Sequence, residues 1–301
     1  MKQLKRTALL GTLVGAIAMA ASPVHAEELT GTLKKIKETG TIVVAHRESS
    51  VPFSYLDDKQ QPIGYSMDLC DRIVQAVKTE LKLPDLKVTL QPVTSSNRIP
   101  LLINGTVDME CGSTTNSQER QKQVSFGVTT FVTNVKTVVK KASGVNNLND
   151  LNGKPIVTTS GTTSVALIKA HEKGSKIDFK EIYGKDHAES FLLVESDRAS
   201  AFVMDDILLA GLVANSKSPA DYKLLDEVFR TEPYGIMLRK EDPQFKGVVD
   251  RTLSGLMKSG EINKLYAKWF ESPIPPKGVN LRFPMSQELK DAIKSPNDKG
   301  V

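Results

Sequence analysis

What most constrains this chain is an alternation. Short apolar runs recur, and helix-spaced segments or hydroxyl-rich stretches follow them. Residues 41–45 (Thr-Ile-Val-Val-Ala) form an apolar run of buried-strand length. Leu69, Ile73, Val77 and Leu81 then recur at four-residue steps, which predicts a helix opening at Gly64. Residues 86–90 alternate with period two, as a strand does. A short helix fits residues 98–103, with Pro100 in its first turn where a missing N–H costs little, and residues 107–111 read as the next strand. After the polar junction at 140–147 a second set follows: strand 155–158, helix 162–173, strand 201–204 and helix 207–214. Residues 234–239 read as one late strand, and helices over 243–258 and 262–270 come next. The tail from Ser272, with Pro273, Pro275 and Pro276, is expected to be an extended wrap over the surface. Repeated strand–helix units bury best as a mostly parallel sheet covered by helices, so the fold class is α/β.

The first 26 residues stand outside that pattern. Lys2, Lys5 and Arg6 precede an apolar stretch from Ala8 to about Ala21, and small residues at Val24 and Ala26 close it. A membrane span needs about 20 apolar residues, so the segment reads as a secretory signal peptide cut after Ala26. No Cys lies near the cut, so no lipid anchor is implied. Removing those three cations takes the 40 basic side chains to 37 against 35 acidic ones. A near-neutral chain with no basic stripe interleaved with aromatics excludes a nucleic-acid partner. No second long apolar segment follows, so a soluble protein with no direct membrane insertion, located in the periplasm, is expected. Cys70 and Cys111 permit one disulfide in an exported chain. Both sit in apolar elements, where free Cys packs as a small hydrophobe, and two buried thiols are the favoured reading.

Catalytic signatures are missing. There is no Gly-x-Ser-x-Gly, His-Glu-x-x-His, Cys-x-x-Cys, P-loop or dinucleotide fingerprint. His25, His46, His171 and His187 show no ligand spacing, so no metal and no cofactor is expected. Instead, hydroxyl-rich loops occupy three strand ends: residues 94–98, 112–115 and 158–164. In open α/β sheets ligands bind beyond the carboxyl ends of strands, and the N–H groups of a following helix favour an anion there. Each loop alone is also an ordinary helix cap, and Asn116-Ser-Gln-Glu119 spells a capping box. Three such loops with Arg98 and Arg120 nearby point to an anionic small molecule.

These stretches resemble the extracellular solute-binding proteins of ABC-type amino-acid importers over nearly the whole mature chain. Val51-Pro-Phe-Ser-Tyr with Gly64-Tyr-Ser-Met-Asp-Leu resembles the family's first strand–loop–helix. Gly112-Ser-Thr-Thr-Asn-Ser-Gln-Glu-Arg120 with Val124-Ser-Phe126 resembles its central signature, a Thr followed five residues on by Arg. Ser160-Gly-Thr-Thr-Ser164, Ala201-Phe-Val-Met-Asp-Asp206 and Gly235-Ile-Met-Leu-Arg-Lys-Glu-Asp-Pro243 with Lys268-Trp-Phe270 continue the likeness in order. The resemblance implies a two-lobed type II periplasmic binding protein (Venus flytrap) fold with crossovers near 129–140 and 222–232. Lobe one would comprise 27–132 and 230–301, with an extension from about 271, and lobe two 133–229.

The resemblance also implies roles. Arg120 would hold an α-carboxylate bidentately, with the Thr163 amide as a second donor. Asp205 would pair with the α-ammonium, helped by the Ser113 carbonyl and the Thr115 hydroxyl. Arg47 stands where some relatives of polar or basic specificity carry an acid, and Arg98 lies in the loop after the second strand. Two cations facing one cleft repel unless an anion lies between them, and they reject a cationic ligand. Ser95 and His187 look like further donors to a side-chain carboxylate. A solvated surface charge at Arg47 and a structural His at 187 stay open. The Ser-Ser-Asn-Arg and His-Arg-Glu-Ser-Ser patterns resemble the glutamate/aspartate-binding branch, which implies L-glutamate and L-aspartate as ligands and a membrane permease of an ABC importer as partner. A monomer is expected. By the same resemblance Cys70, an Ala or Ser in many relatives, faces the sheet and could approach Cys111. Two alternatives remain: an exported dehydratase-like enzyme on the same fold, and a binder of glutamine or another polar amino acid. A membrane-receptor sensor domain is disfavoured because no membrane segment follows Val301.

Overall fold

In the computed structural model, which describes residues 28–301, the alternation resolves into two separate sheets. The expected signal peptide, residues 1–26, lies outside the described residues. Helix α1 (Gly31–Thr39) leads into β1 (Thr41–His46). A small antiparallel flap of β2 (Ser49–Ser50), β3 (Ser54–Leu56) and β4 (Pro62–Ile63) precedes α2 (Tyr65–Leu81). Then come β5 (Lys87–Pro92), α3 (Arg98–Ile103), β6 (Met109–Cys111), α4 (Gln118–Gln121) and β7 (Val124–Phe126). The chain leaves through β8 (Phe131–Lys140) and continues as β9 (Pro155–Thr159), α5 (Thr163–Gly174), β10 (Lys180–Gly184), α6 (His187–Glu195), β11 (Ala201–Asp205), α7 (Asp206–Asn215) and β12 (Tyr222–Leu224). It returns through β13 (Arg230–Tyr234) to β14 (Met237–Arg239), α8 (Pro243–Ser259) and α9 (Glu261–Phe270). A hairpin of β15 (Pro273–Ile274) and β16 (Val279–Asn280) and helix α10 (Gln287–Lys294) close the chain.

The first sheet has the order β5-β1-β6-β14-β7, parallel across β5, β1 and β6 and antiparallel at β14. The second has the order β10-β9-β11-β8-β12, with β13 also on β8. The central parallel strands are buried on both faces, which is why β1 and β11 read as continuous apolar runs rather than alternations. Helix α2 buries the Leu69, Ile73, Val77 and Leu81 stripe, each side chain contributing about 1.5–3 kcal/mol relative to exposure.

Strands β8 and β13 pair antiparallel from Phe131↔Tyr234 to Val135↔Arg230. An aromatic cluster packs where they begin: Phe131 lies 4.9 Å from Phe53 and 4.9 Å from Phe270, and Phe53 lies 5.2 Å from Tyr234.

Three sequence expectations change. The late strand divides at Gly235 and Ile236, so that β13 belongs to the second sheet and β14 to the first. The tail is not only an extended wrap: α10 forms, capped by the Ser286 hydroxyl and anchored by buried Leu289. The favoured reading of two buried thiols is also overturned, because Cys70 and Cys111 form a disulfide. Cys70 projects from α2 onto β6 with the two Cα atoms 6.3 Å apart, inside the range a bridge spans.

Candidate functional site

Strand ends place the candidate side chains. Arg47 follows β1, Ser95 and Arg98 follow β5, and Ser113 and Thr115 follow β6, with Arg120 one short helix further on. From the second sheet, Thr163 follows β9, His187 follows β10, and Asp205 ends β11. Ser95, Arg98, Ser113, Thr115, Arg120, Thr163, His187 and Asp205 line one narrow space, together with Thr162 and Met204. Arg47 is not on that wall, but it is only 1% exposed, so the surface-charge reading of it is wrong.

The two sheets meet here in a closed arrangement. Arg120 donates through Nη1 to the Thr115 carbonyl at 2.9 Å and through Nη2 to the Gly161 carbonyl at 3.1 Å. Gly161 has a φ of +78°, and a Cβ there would lie 2.7 Å from the Ser95 carbonyl, so this close approach needs glycine. The cap at Arg120 is Ser117, whose Oγ accepts from the Arg120 amide. Asn116 does not cap; its side-chain amide donates to the Asp298 carbonyl at 2.8 Å. Helix α5 starts at Thr163, which leaves that amide among its first-turn N–H groups without an intrahelical acceptor.

Two carboxylates that the sequence reading missed complete the site. Glu232, on β13, accepts at Oε2 from the Thr115 hydroxyl at 2.5 Å and the Thr163 hydroxyl at 2.8 Å, and so ties both sheets together. Arg230 holds its Oε1 through Nε at 2.9 Å and Nη2 at 2.6 Å. Glu110, in the middle of β6, is fully buried; its Oε2 accepts from the Thr114 hydroxyl at 2.5 Å, and its Oε1 lies 3.8 Å from Arg98 Nη1. The Thr114 oxygen in turn accepts from Arg98. A carboxylate inside a strand buried on both faces must be paired, and Glu110 on β6 is one, but that burial becomes visible only in the fold.

Burial sets the electrostatics. It pushes the Arg47 guanidinium down to about 10, with Arg98 adding to the effect, and Arg120 down to about 9. Both stay cationic at neutral pH. Burial, then Arg47 and Arg98, push the His187 imidazole well below its ordinary value, so it is neutral. Its Nδ1 lies 3.0 Å from the Thr159 hydroxyl. Burial and then Glu232 push the Asp205 carboxyl up to about 8, although Tyr234 donates to its Oδ2. Among the described residues, Arg47 Nη1, Ser95 Oγ, Arg98 Nε, Glu110 Oε1, Ser113 Oγ and Asp205 Oδ1 are buried without a hydrogen-bond partner. Elsewhere such atoms cost about 1–3 kcal/mol each, so their concentration at one place marks a polar ligand site. Among those residues no group of His, Cys, Asp and Glu could hold a metal ion, and no helix is long and apolar enough to cross a membrane.

Residues 42–272 match the family model for bacterial extracellular solute-binding proteins, family 3. The chain is 54% identical to the L-glutamate/L-aspartate-binding protein of Pseudomonas aeruginosa, over 97% of each chain. It is 48% identical to the glutamate/aspartate import solute-binding protein of Escherichia coli, over 96% of this chain and 97% of that one. A solved structure of a mutant ArgBP from T. maritima superposes with a TM-score of 0.71 at 26% identity, covering 79% of this chain and 99% of that one.

Proposed function

The chain belongs to family 3 of the bacterial extracellular solute-binding proteins, and from that premise we propose that it captures L-glutamate and L-aspartate between its two sheets and delivers them to an ABC importer. It is a binding protein and not an enzyme, as its relatives at 48–54% identity are binding proteins by name. The convergence of partnerless polar atoms on one small space carries the reading.

Residue roles follow from charge. Arg120 reads the α-carboxylate. Asp205 Oδ1 pairs with the α-ammonium. Thr115 helps, because its hydroxyl proton already goes to Glu232 and its oxygen is left to accept. The Ser113 carbonyl adds a further acceptor for the ammonium, and Arg47, Arg98, Ser95 and His187 take the side-chain carboxylate. Charge-assisted hydrogen bonds of this kind are worth about 1.5–3 kcal/mol each. Lobe one is 27–132 with 230–301 and lobe two 133–229, and the ligand clamps them together at Arg120 and Glu232. Residues 1–26 direct export to the periplasm and are removed, and the mature protein works as a monomer that docks on the permease.

Titration calorimetry with the twenty amino acids tests this. Strong heats are expected for glutamate and aspartate, and tight binding of glutamine or arginine in their place refutes the acidic reading.

A further inference from the structure

The side-chain end of the cleft holds a charge that the ligand reading alone does not use. Glu110 sits at 0% exposure between Met109 and Cys111, which are buried equally completely. It reaches Arg98 directly at 3.8 Å and again through the Thr114 hydroxyl. It also acts on Arg47, as the strongest influence opposing burial there. Gly112 makes room for it: a Cβ at that position would lie 2.2 Å from Glu110 Oε1 and 2.8 Å from Arg47 Cγ. Glu110 Oε1 nevertheless has no hydrogen-bond donor among the described residues.

We propose that Glu110 is the counter-anion that holds this end of the cleft at one net positive charge, and so fixes its ligand at a single side-chain carboxylate. The inference rests on the acidic-amino-acid reading and deepens it. Arg47 and Arg98 bring two positive charges and Glu110 removes one. His187, on α6, is neutral, and Tyr234, on β13, keeps its proton. Asp186 also acts on Arg47, but less than Glu110 does; it is only half-buried, and its carboxylate accepts from the Glu189 amide at the start of α6. A ligand with one side-chain carboxylate therefore brings the buried cluster to neutrality. A neutral side chain leaves a buried cation unmatched, and a doubly charged one adds an unmatched anion; both are costly in a desolvated site. Glu110 thus turns a pair of arginines, which would suit a dianion, into a reader of one carboxylate.

The test compares L-glutamate with O-phospho-L-serine, whose phosphate passes from one to two charges with a pKa of about 6. Both carry the same α-amino-acid group, so titration at the Asp205 end cancels in the ratio of their affinities. For the unmodified protein the glutamate-to-phosphoserine ratio should rise roughly ten- to a hundredfold between pH 5 and pH 8, as the singly charged phosphate is depleted. Glu110→Gln keeps the volume and an acceptor for Thr114 but loses the charge. It should shift the pH 8 ratio toward phosphoserine by about tenfold and flatten the pH profile. A ratio independent of pH in the unmodified protein overturns the proposal, whether phosphoserine competes well or poorly. A Glu110→Gln ratio equal to the unmodified one overturns it too, and if that variant does not fold the unmodified pH profile decides alone. Failure of glutamate to bind at any pH is a separate outcome, which refutes the acidic-amino-acid reading itself.

Discussion

At one end of the cleft, Arg120 and Thr115 from the first sheet meet Thr163 and Asp205 from the second, and Glu232 on the returning strand joins them. At the other end, Arg47, Arg98 and Glu110 all come from the first sheet, and His187 alone crosses from the second. The first end draws its groups from both sheets, so a ligand held there bridges them. The second comes almost wholly from one sheet, and a charge cluster preorganised in that way discriminates between ligands at little ordering cost. Capture and selection are therefore separable in this molecule, and substitutions at the two ends should differ in kind.

The largest effect is expected at the closing end. Arg120→Ala should weaken glutamate, aspartate and any neutral amino acid alike, by about 3–5 kcal/mol in calorimetry, because it strips a buried carboxylate of its partner. A loss confined to acidic ligands would merge the two ends. Next, removing the Cys70–Cys111 bridge should lower unfolding free energy by about 2–4 kcal/mol, read as a drop in denaturation midpoint. The relative affinities of different ligands should not change, since the bridge clamps α2 to β6 behind both ends. A changed glutamate-to-glutamine ratio would show that the selecting end depends on it.

Smaller and more selective, Arg98→Ala should cost glutamate about 1.5–3 kcal/mol more than glutamine, and equal losses would remove Arg98 from selection. The pH effect is the mildest. Asp205, raised to about 8, holds a proton in the folded protein that it lacks when unfolded above about pH 4. Without ligand, its contribution to stability therefore falls as pH rises from about 4 to 8. Pairing with an ammonium ionises it, so binding at pH 7 should release up to about one proton, seen as buffer-dependent heats, with affinity rising toward pH 8. Proton uptake on binding would reverse the roles assigned to that end.

The sequence was informative about the same division. Hydroxyl loops after strands 87–92, 109–111 and 155–159 pointed to the cleft because parallel strands direct their carboxyl ends to one side. Glu110 was opaque, since Met-Glu-Cys reads as an ordinary strand until its neighbours on both faces are known. Glu232 was hidden for a similar reason: its partners Thr115 and Thr163 lie far away in the chain and meet it only across the two sheets. The division of 234–239 follows from Gly235, whose amide donates to the Thr114 carbonyl as the chain changes sheets. Helix α10 was masked by the prolines before it, although Leu289 and Ile293 stand four residues apart behind a Ser286 cap. The disulfide could not be chosen over two thiols, because burial favours both and only the seating of α2 on β6 distinguishes them.

The most direct measurement is competitive calorimetry of glutamate, aspartate, glutamine and arginine on the purified protein at one pH and salt concentration. The account predicts tight binding of the two acids, weak glutamine and no measurable arginine; glutamine or arginine binding as tightly as glutamate would contradict it.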